Sequence, residues 1–363
     1  MIRPSLLLLC CALAGCAARP DTRTIWPVGA SAPHGETEQI FVATTRDTAP
    51  VPADGFTSLR SPQPHFAELV VSIPPGHVPG EIEWPKGQTN PQTDFSVASH
   101  KRLDKGTFIR RVNAASENGT AVFVHGYNYN FPEALFRTAQ MAADAQISDA
   151  PVLFSWPSSA SVLGYVSDRE SVTYSRDALA ELLTRLAKTS GGKPVTVFGH
   201  SMGGWLVMET LRQMRIAGED EALSRLEVVL AAPDIDVDVF RQQLAIVGKM
   251  QIPMVIMVSP DDRALGLSAI AGQRTRVGAL DISNPVVQAA AQQSDVVLID
   301  ISAVGASSSL NHDRYIQLAS AYPALGREMR QGSTFTEAGA FVLSSTGQIL
   351  SAPLRVVDAA LGQ

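Results

Sequence analysis

The pentapeptide Gly199-His200-Ser201-Met202-Gly203 sets one serine between two glycines, each two residues away. A serine hydroxyl is a weak nucleophile until a neighbouring base takes its proton, and the chemistry it then performs is acyl transfer through a covalent intermediate. The flanks give the motif its meaning. Pro194-Val195-Thr196-Val197-Phe198 is an apolar, β-branched run that reads as a strand, and Trp205-Leu206-Val207-Met208-Glu209 reads as a helix. A sharp turn between the two would lift the Ser201 hydroxyl clear of a sheet, while Gly199 and Gly203 keep side chains away from the strand and the helix. The helix N-terminus beneath would favour developing negative charge. A glycine-rich structural turn around a buried serine is the blander alternative, and these flanks fit it less well.

Such a turn needs a sheet to stand on. Strand-like runs fall at 39–44, 68–73, 121–124, 152–154, 195–198, 227–230, 254–258 and 296–301. Between them lie helix-like runs at 133–145, 169–188, 202–216 and 237–247, with Pro132 just inside the first, where its missing N–H costs nothing. This alternation predicts an α/β architecture, a mostly parallel central sheet of about eight strands with helices on both faces. Residues 16–36 lack apolar periodicity and read as a flexible tether. Residues 74–119, rich in proline, glycine and polar residues, take no assignment, and the tail beyond 326 carries one expected helix near 354–361.

The strand–elbow–helix resembles the nucleophile elbow of α/β-hydrolases, which implies a triad in the order serine, acid, histidine along the chain. Of the seven histidines, at 34, 65, 77, 100, 125, 200 and 312, only His312 follows Ser201, so it is the expected base. The acid is less constrained. Asp261 and Asp262 follow the 254–258 strand, and Asp234 and Asp236 follow the one before. Asp262 is preferred, while Asp261 and Asp236 can equally start or cap helices. In the loop after the third expected strand, His125-Gly126 resembles the HG motif of α/β-hydrolases, which implies an oxyanion hole made by the backbone N–H groups of Met202 and Tyr127. His125 and His200 are read as loop braces, not catalysts. The segment from 156 to 168, with Trp156, Leu163 and Tyr165, is a candidate wall for an acyl pocket, although Trp156 fits a plain core position equally well. The stretch 236–250 has room for about one helix, which argues for an open site without an extensive lid.

All three cysteines, Cys10, Cys11 and Cys16, fall in the first sixteen residues. The body is therefore without a disulfide, thiolate metal site or cysteine nucleophile. No H-E-x-x-H or clustered ligand spacing suggests a metal, and no cofactor is implied. The 363 residues carry 29 Lys+Arg against 35 Asp+Glu, a net charge of −6 that argues against general nucleic-acid binding. Behind Arg3 runs a short apolar stretch, too brief for a membrane span and right for a signal-peptide core. It ends in Leu13-Ala14-Gly15-Cys16, which resembles the lipobox of bacterial lipoproteins. The resemblance implies a signal peptide over residues 1–15, acylation of Cys16 and anchoring in the cell envelope. Ala17 in place of aspartate favours the outer membrane.

Several ordered blocks resemble an uncharacterised bacterial α/β-hydrolase family of esterase/lipase-like serine hydrolases. They are Phe123-Val124-His125-Gly126-Tyr127-Asn128, Phe154-Ser155-Trp156-Pro157-Ser158, His200-Ser201-Met202-Gly203, Ala232-Pro233-Asp234-Ile235-Asp236 and Ser259-Pro260-Asp261-Asp262-Arg263-Ala264-Leu265. The likeness implies an α/β-hydrolase fold over about residues 37–325, with a C-terminal extension beyond 326. It also implies a serine mechanism with the acid at Asp262. Gly204 stands where many members have asparagine. The resulting expectation is an envelope-anchored carboxylic-ester hydrolase acting on a small acyl ester or lipid-like substrate. Thioesterase, amidase and acyltransferase share the same triad, and a non-catalytic envelope scaffold or binding lipoprotein is the alternative outside enzymes. Oligomeric state is not legible in the sequence.

Overall fold

Short runs of valine, isoleucine and leucine, too brief for helices, become the inner strands of a single sheet. A computed structural model describes residues 19–28, 35–49, 55–146, 149–319 and 355–357. Strands β1 (Thr37–Thr48), β2 (Phe56–Ser72) and β3 (Ser96–Leu103) come first. They are followed by β4 (Thr120–Val124), β5 (Ala150–Ser155), β6 (Val195–His200) and β7 (Leu226–Ala231). The last three are β8 (Met254–Val258), β9 (Val296–Asp300) and β10 (Arg355–Val357). Their order across the sheet is β10-β9-β8-β7-β6-β4-β5-β1-β2-β3. The span from β9 to β1 is parallel throughout. β2 and β3 extend one edge antiparallel, and β10 does the same at the other.

The described sheet thus has ten strands, not about eight. The additions are β3, inside the stretch left unassigned, and β10, where a helix was expected. β3 is an edge strand carrying His100, Lys101 and Arg102, so its pattern is diluted by the charges that protect an edge. In β10, Val356 and Val357 suit an extended backbone better than a helix.

Side chains alternate across the inner strands. Val122 and Val124 join one core with Phe108, Leu183 and Leu206, while Phe123 joins the other with Phe131 and Leu135. The first face is covered by α1 (Lys105–Ala115), α3 (Tyr165–Thr189), α4 (Met202–Ile216), α5 (Asp220–Leu223), α6 (Val237–Val247) and α8 (Pro285–Ser294). The second is covered by α2 (Phe131–Ala145) and α9 (Tyr315–Ala319). Helix α7 (Arg263–Gly272) follows β8. Asn130 caps α2 in a reciprocal capping box with Glu133.

Topology fixes where a site can form. From β4 the chain leaves through α2 to β5 on one side, whereas from the adjacent β6 it leaves through α4 to β7 on the other. Loops departing from neighbouring strands in opposite directions open a crevice at their carboxyl ends. The His125-Gly126 loop and Ser201 both lie there.

The flexible-tether expectation is corrected for residues 19–28. Asp21 caps a 3-10 turn at Thr22–Ile25, and Ile25 is buried in the second core. The Val28 amide donates to the Val97 carbonyl, and the Asn130 side chain donates to the carbonyl of Pro20. One buried isoleucine and a few directed polar contacts dock a segment that has no periodicity to detect.

Residues 74–95 are clipped to the far end of α2 by His77. Its Nδ1 lies 2.8 Å from Glu83 Oε2 and its Nε2 2.9 Å from Asp144 Oδ1. Partial burial opposes the imidazolium charge, but the bonds to Asp144 and Glu83 outweigh it and raise the pKa above the usual 6.5. A raised folded-state pKa means the clip is strongest below pH 6.5 and fades as pH climbs through the folded value. His77→Gln should therefore lose more stability, by urea midpoint, at pH 6 than at pH 9. An equal loss at both values would show that the charge contributes nothing.

Candidate active site

β6 ends at His200 and α4 begins at Met202, so the turn between them is a single residue. Ser201 takes φ 54° and ψ −120°, a left-handed backbone that a serine adopts only under constraint. The constraint is visible on three sides. Its amide donates to the Ala231 carbonyl at 2.9 Å, and its carbonyl accepts from Gly204 at 3.0 Å and Asp234 at 3.1 Å. A Cβ on Gly203 would lie 2.4 Å from the carbonyl oxygens of both Val124 and His125. A Cβ on Gly199 would lie 2.9 Å from Gly204 Cα and Val207 Cγ2. A Cβ on Gly126 would meet His200 Nδ1 at 2.7 Å and Ser201 Cβ at 3.0 Å, which puts the His125-Gly126 loop directly against the serine. The Met202 N–H, in the first turn of α4, has no intrahelical acceptor.

Asp262 is wholly buried and does two things at once. Its Oδ1 accepts from the Leu265 amide at 2.9 Å, capping α7, and its Oδ2 lies 2.7 Å from His312 Nδ1. His312 arrives from the loop after β9, and its carbonyl oxygen lies 3.2 Å from His200 Nε2. The two imidazole rings are 4.8 Å apart, so His312 stands beside the residue that precedes Ser201.

The other carboxylates go elsewhere. Asp261 accepts from Ser259, Asn311 and Arg314, tying down the loop on both sides of His312. Asp234 accepts from Tyr165 at 2.8 Å and Ser268 at 2.6 Å, with Arg276 at 3.3 Å. Asp236 caps α6.

Both neighbouring histidines are uncharged braces. Burial, then the nearby Arg46, pushes the His125 pKa down to about 3, and its Nδ1 donates to the Gly126 carbonyl at 2.9 Å. Burial, reinforced by His312, pushes His200 well down as well. Because an oxygen lies at His200 Nε2, that nitrogen carries the proton.

Trp156 belongs to the core. It is fully buried, stacks on His125 at 4.9 Å and donates from Nε1 to the His125 carbonyl. Leu163, expected in a pocket wall, is 92% exposed, because the backbone turns it out ahead of α3. Tyr165 is partly buried. Between 236 and 250 stands the single helix α6. Arg46 escaped the sequence reading: its buried guanidinium, with burial lowering its pKa to about 9, donates to the Tyr129 carbonyl and Ser155 Oγ behind the His125-Gly126 loop. Nothing in the pattern of β1 singles it out beyond an arginine at a position where the strand is otherwise buried.

Residues 101–328 match the sequence profile of a family described as "Alpha/beta hydrolase of unknown function (DUF900)". That span is more than half of the chain. The chain belongs to this alpha/beta-hydrolase family. The alpha/beta hydrolase is also 41% identical over 61 residues to the uncharacterized protein alr1448 of Nostoc sp., a match covering 17% of this chain and 16% of that one. A crystal structure from Agrobacterium vitis S4, its protein provisionally described as a hydrolase, covers 59% of this chain and 82% of its own. That match has 13% identity and a TM-score of 0.29. Among the described residues, no group of three or more His, Cys, Asp or Glu side chains is disposed to hold a metal, and no helix is long and apolar enough to cross a membrane.

The contacts at the two elbow glycines differ enough to test. Gly203→Ala should cost about 3 kcal/mol or more, since two backbone carbonyls must move. Gly204→Ala meets Pro233 Cβ at 3.1 Å and, in ordinary contact, the Gly199 carbonyl oxygen at 3.4 Å, and it gains helix propensity of about 1 kcal/mol, so it should be near neutral. Thermal unfolding of the two variants measures the contrast, and equal losses would contradict the described packing.

Proposed function

We propose that this alpha/beta hydrolase is a serine carboxylic-ester hydrolase held on the cell envelope through an acylated Cys16. The observation that carries the catalytic reading is the 2.7 Å Asp262–His312 pair packed against His200, the residue before a Ser201 held in a strained left-handed turn. In this reading Ser201 Oγ attacks the ester carbonyl and passes its proton to His312 Nε2. Asp262 holds the Nδ1 proton and stabilises the imidazolium. The amides of Met202 and Tyr127 bind the oxyanion, the geometry that makes pre-organised donors effective. As the carbonyl reforms, the C–O bond to the alcohol breaks and His312 protonates the departing oxygen. Water, deprotonated by His312, then attacks the acyl-enzyme, and the carboxylic acid leaves as Ser201 recovers its proton.

The anchor rests on Leu13-Ala14-Gly15-Cys16. Cys10, Cys11 and Cys16 lie outside the described residues, as does the expected signal peptide.

Two sets of variants test the reading. Ser201→Ala should lower turnover of a soluble ester by at least about 10³-fold. Asp262→Asn should lower kcat by about 10³–10⁴-fold with KM little changed, while Asp261→Asn and Asp234→Asn lose less than about 10-fold. A crippled Asp234→Asn enzyme alongside an active Asp262→Asn one would move the acid to the preceding strand. For the anchor, intact mass should show acyl groups on mature wild-type protein and none on Cys16→Ser. An unmodified mature wild-type chain would exclude a lipoprotein.

A further inference from the structure

Exposed apolar side chains flank the segment that Tyr127 and Tyr165 tie to the site. Val162, Leu163 and Val166, at the start of α3 and just before it, are 74%, 92% and 72% exposed. Leu267 and Ile270 on α7 are exposed as well. Three exposed apolar side chains within five consecutive residues, 162–166, suit an interaction surface. Its scaffold is firmly held. The Tyr127 hydroxyl donates to the Ser161 carbonyl at 3.0 Å, and buried Asp168 accepts from Ser158 and from the Ser159 amide. Tyr165, between Leu163 and Val166, turns inward to Asp234 and Ser268, which ties α3 to α7 and to the residue whose amide bonds Ser201.

A second observation says what this surface faces. Arg19 is docked at the same edge: its guanidinium grips Glu133 at 2.8 Å and Asn128 Oδ1 at 2.8 Å, and donates to the carbonyls of Asn128 and Ala160. Asn128 adjoins Tyr127, and Ala160 lies two residues from Val162. Cys16 is three residues before Arg19, at most about 11 Å of extended chain. We infer that Val162, Leu163 and Val166 enter the lipid layer that holds acylated Cys16, so that Ser201 draws its ester from that layer and the substrate class is a bilayer-resident acyl lipid. The inference rests on the anchored-esterase reading above. A second copy of the chain would account for the exposed apolar side chains but not for an anchor tethered three residues from Arg19, which is bonded to Ala160 beside them.

The test uses the full mature chain, its acylation verified by intact mass, in phosphatidylethanolamine–phosphatidylglycerol vesicles. With Cys16 acylated the chain has no other thiol, so Leu163→Cys can carry a nitrobenzoxadiazole fluorophore at one site. Val78→Cys, exposed beyond the far end of α2, is the control. Spin-labelled lipid should quench the probe at 163 and leave the one at 78 unchanged. A probe at 163 that reports water in vesicles, or a blue shift that follows protein density without lipid quenching, overturns the inference, as does a mature chain without acyl groups. In parallel, Val162→Glu with Val166→Glu should slow hydrolysis of a vesicle-embedded diacyl ester at least tenfold while a water-soluble short-chain ester is cleaved within twofold of wild type. Equal effects on the two substrates overturn the substrate class. Quenching at 163 in an enzyme that cleaves neither ester upholds the membrane contact and overturns the esterase reading instead.

Discussion

The close approach of the α4 N-terminus to the end of β4 is the constraint on which the site depends. Gly203 sits where any side chain would collide with two backbone oxygens, those of Val124 and His125. That contact locks the elbow to the neighbouring loop and forces Ser201 into a left-handed backbone worth about 1–3 kcal/mol of strain. The surrounding sheet tolerates the strain because Ser201 remains hydrogen-bonded through both its amide and its carbonyl, to Ala231 on one side and to Gly204 and Asp234 on the other. The serine and the His125-Gly126 loop are therefore positioned by rigid strands, not by flexible segments.

The histidine has no strand of its own and is held by a division of labour between adjacent aspartates. Asp262 faces inward, caps α7 and meets the His312 ring. Asp261 faces the loop and fastens Asn311 and Arg314, the residues flanking His312 and Asp313. Arg314 in turn reaches the carbonyls of Ser302 and Val304 at the end of β9. The two other imidazoles nearby, His125 and His200, are kept neutral by burial. A charged ring at either place would repel an imidazolium at His312.

Much of this was legible from residue order. The inner strands announce themselves because strands buried on both faces read as unbroken apolar runs, and α4 and α6 begin and end where the pattern places them. The elbow was legible because small residues are obligatory where backbones nearly touch. Asp261 and Asp262 differ by one residue of reach, and the capping geometry of α7 turns Asp262 towards His312 and Asp261 towards the loop. What escaped was set by single contacts. Ile25 and Arg19 dock a segment with no periodicity, β3 hides behind edge charges, and Leu163 points outward from a segment whose composition suggested a pocket wall. Arg46 gives no signal at all until the strand it sits on is seen to be buried.

The central claim is that Ser201 is an activated nucleophile whose reactivity comes from His312. Peptide mapping by mass spectrometry after brief exposure of the folded protein to a fluorophosphonate measures it most directly. The account predicts one phosphonyl adduct on wild-type protein, located on Ser201, and adduct formation slowed at least about 10³-fold in folded His312→Ala. An adduct on another residue, or Ser201 labelling at an unchanged rate without His312, would contradict it.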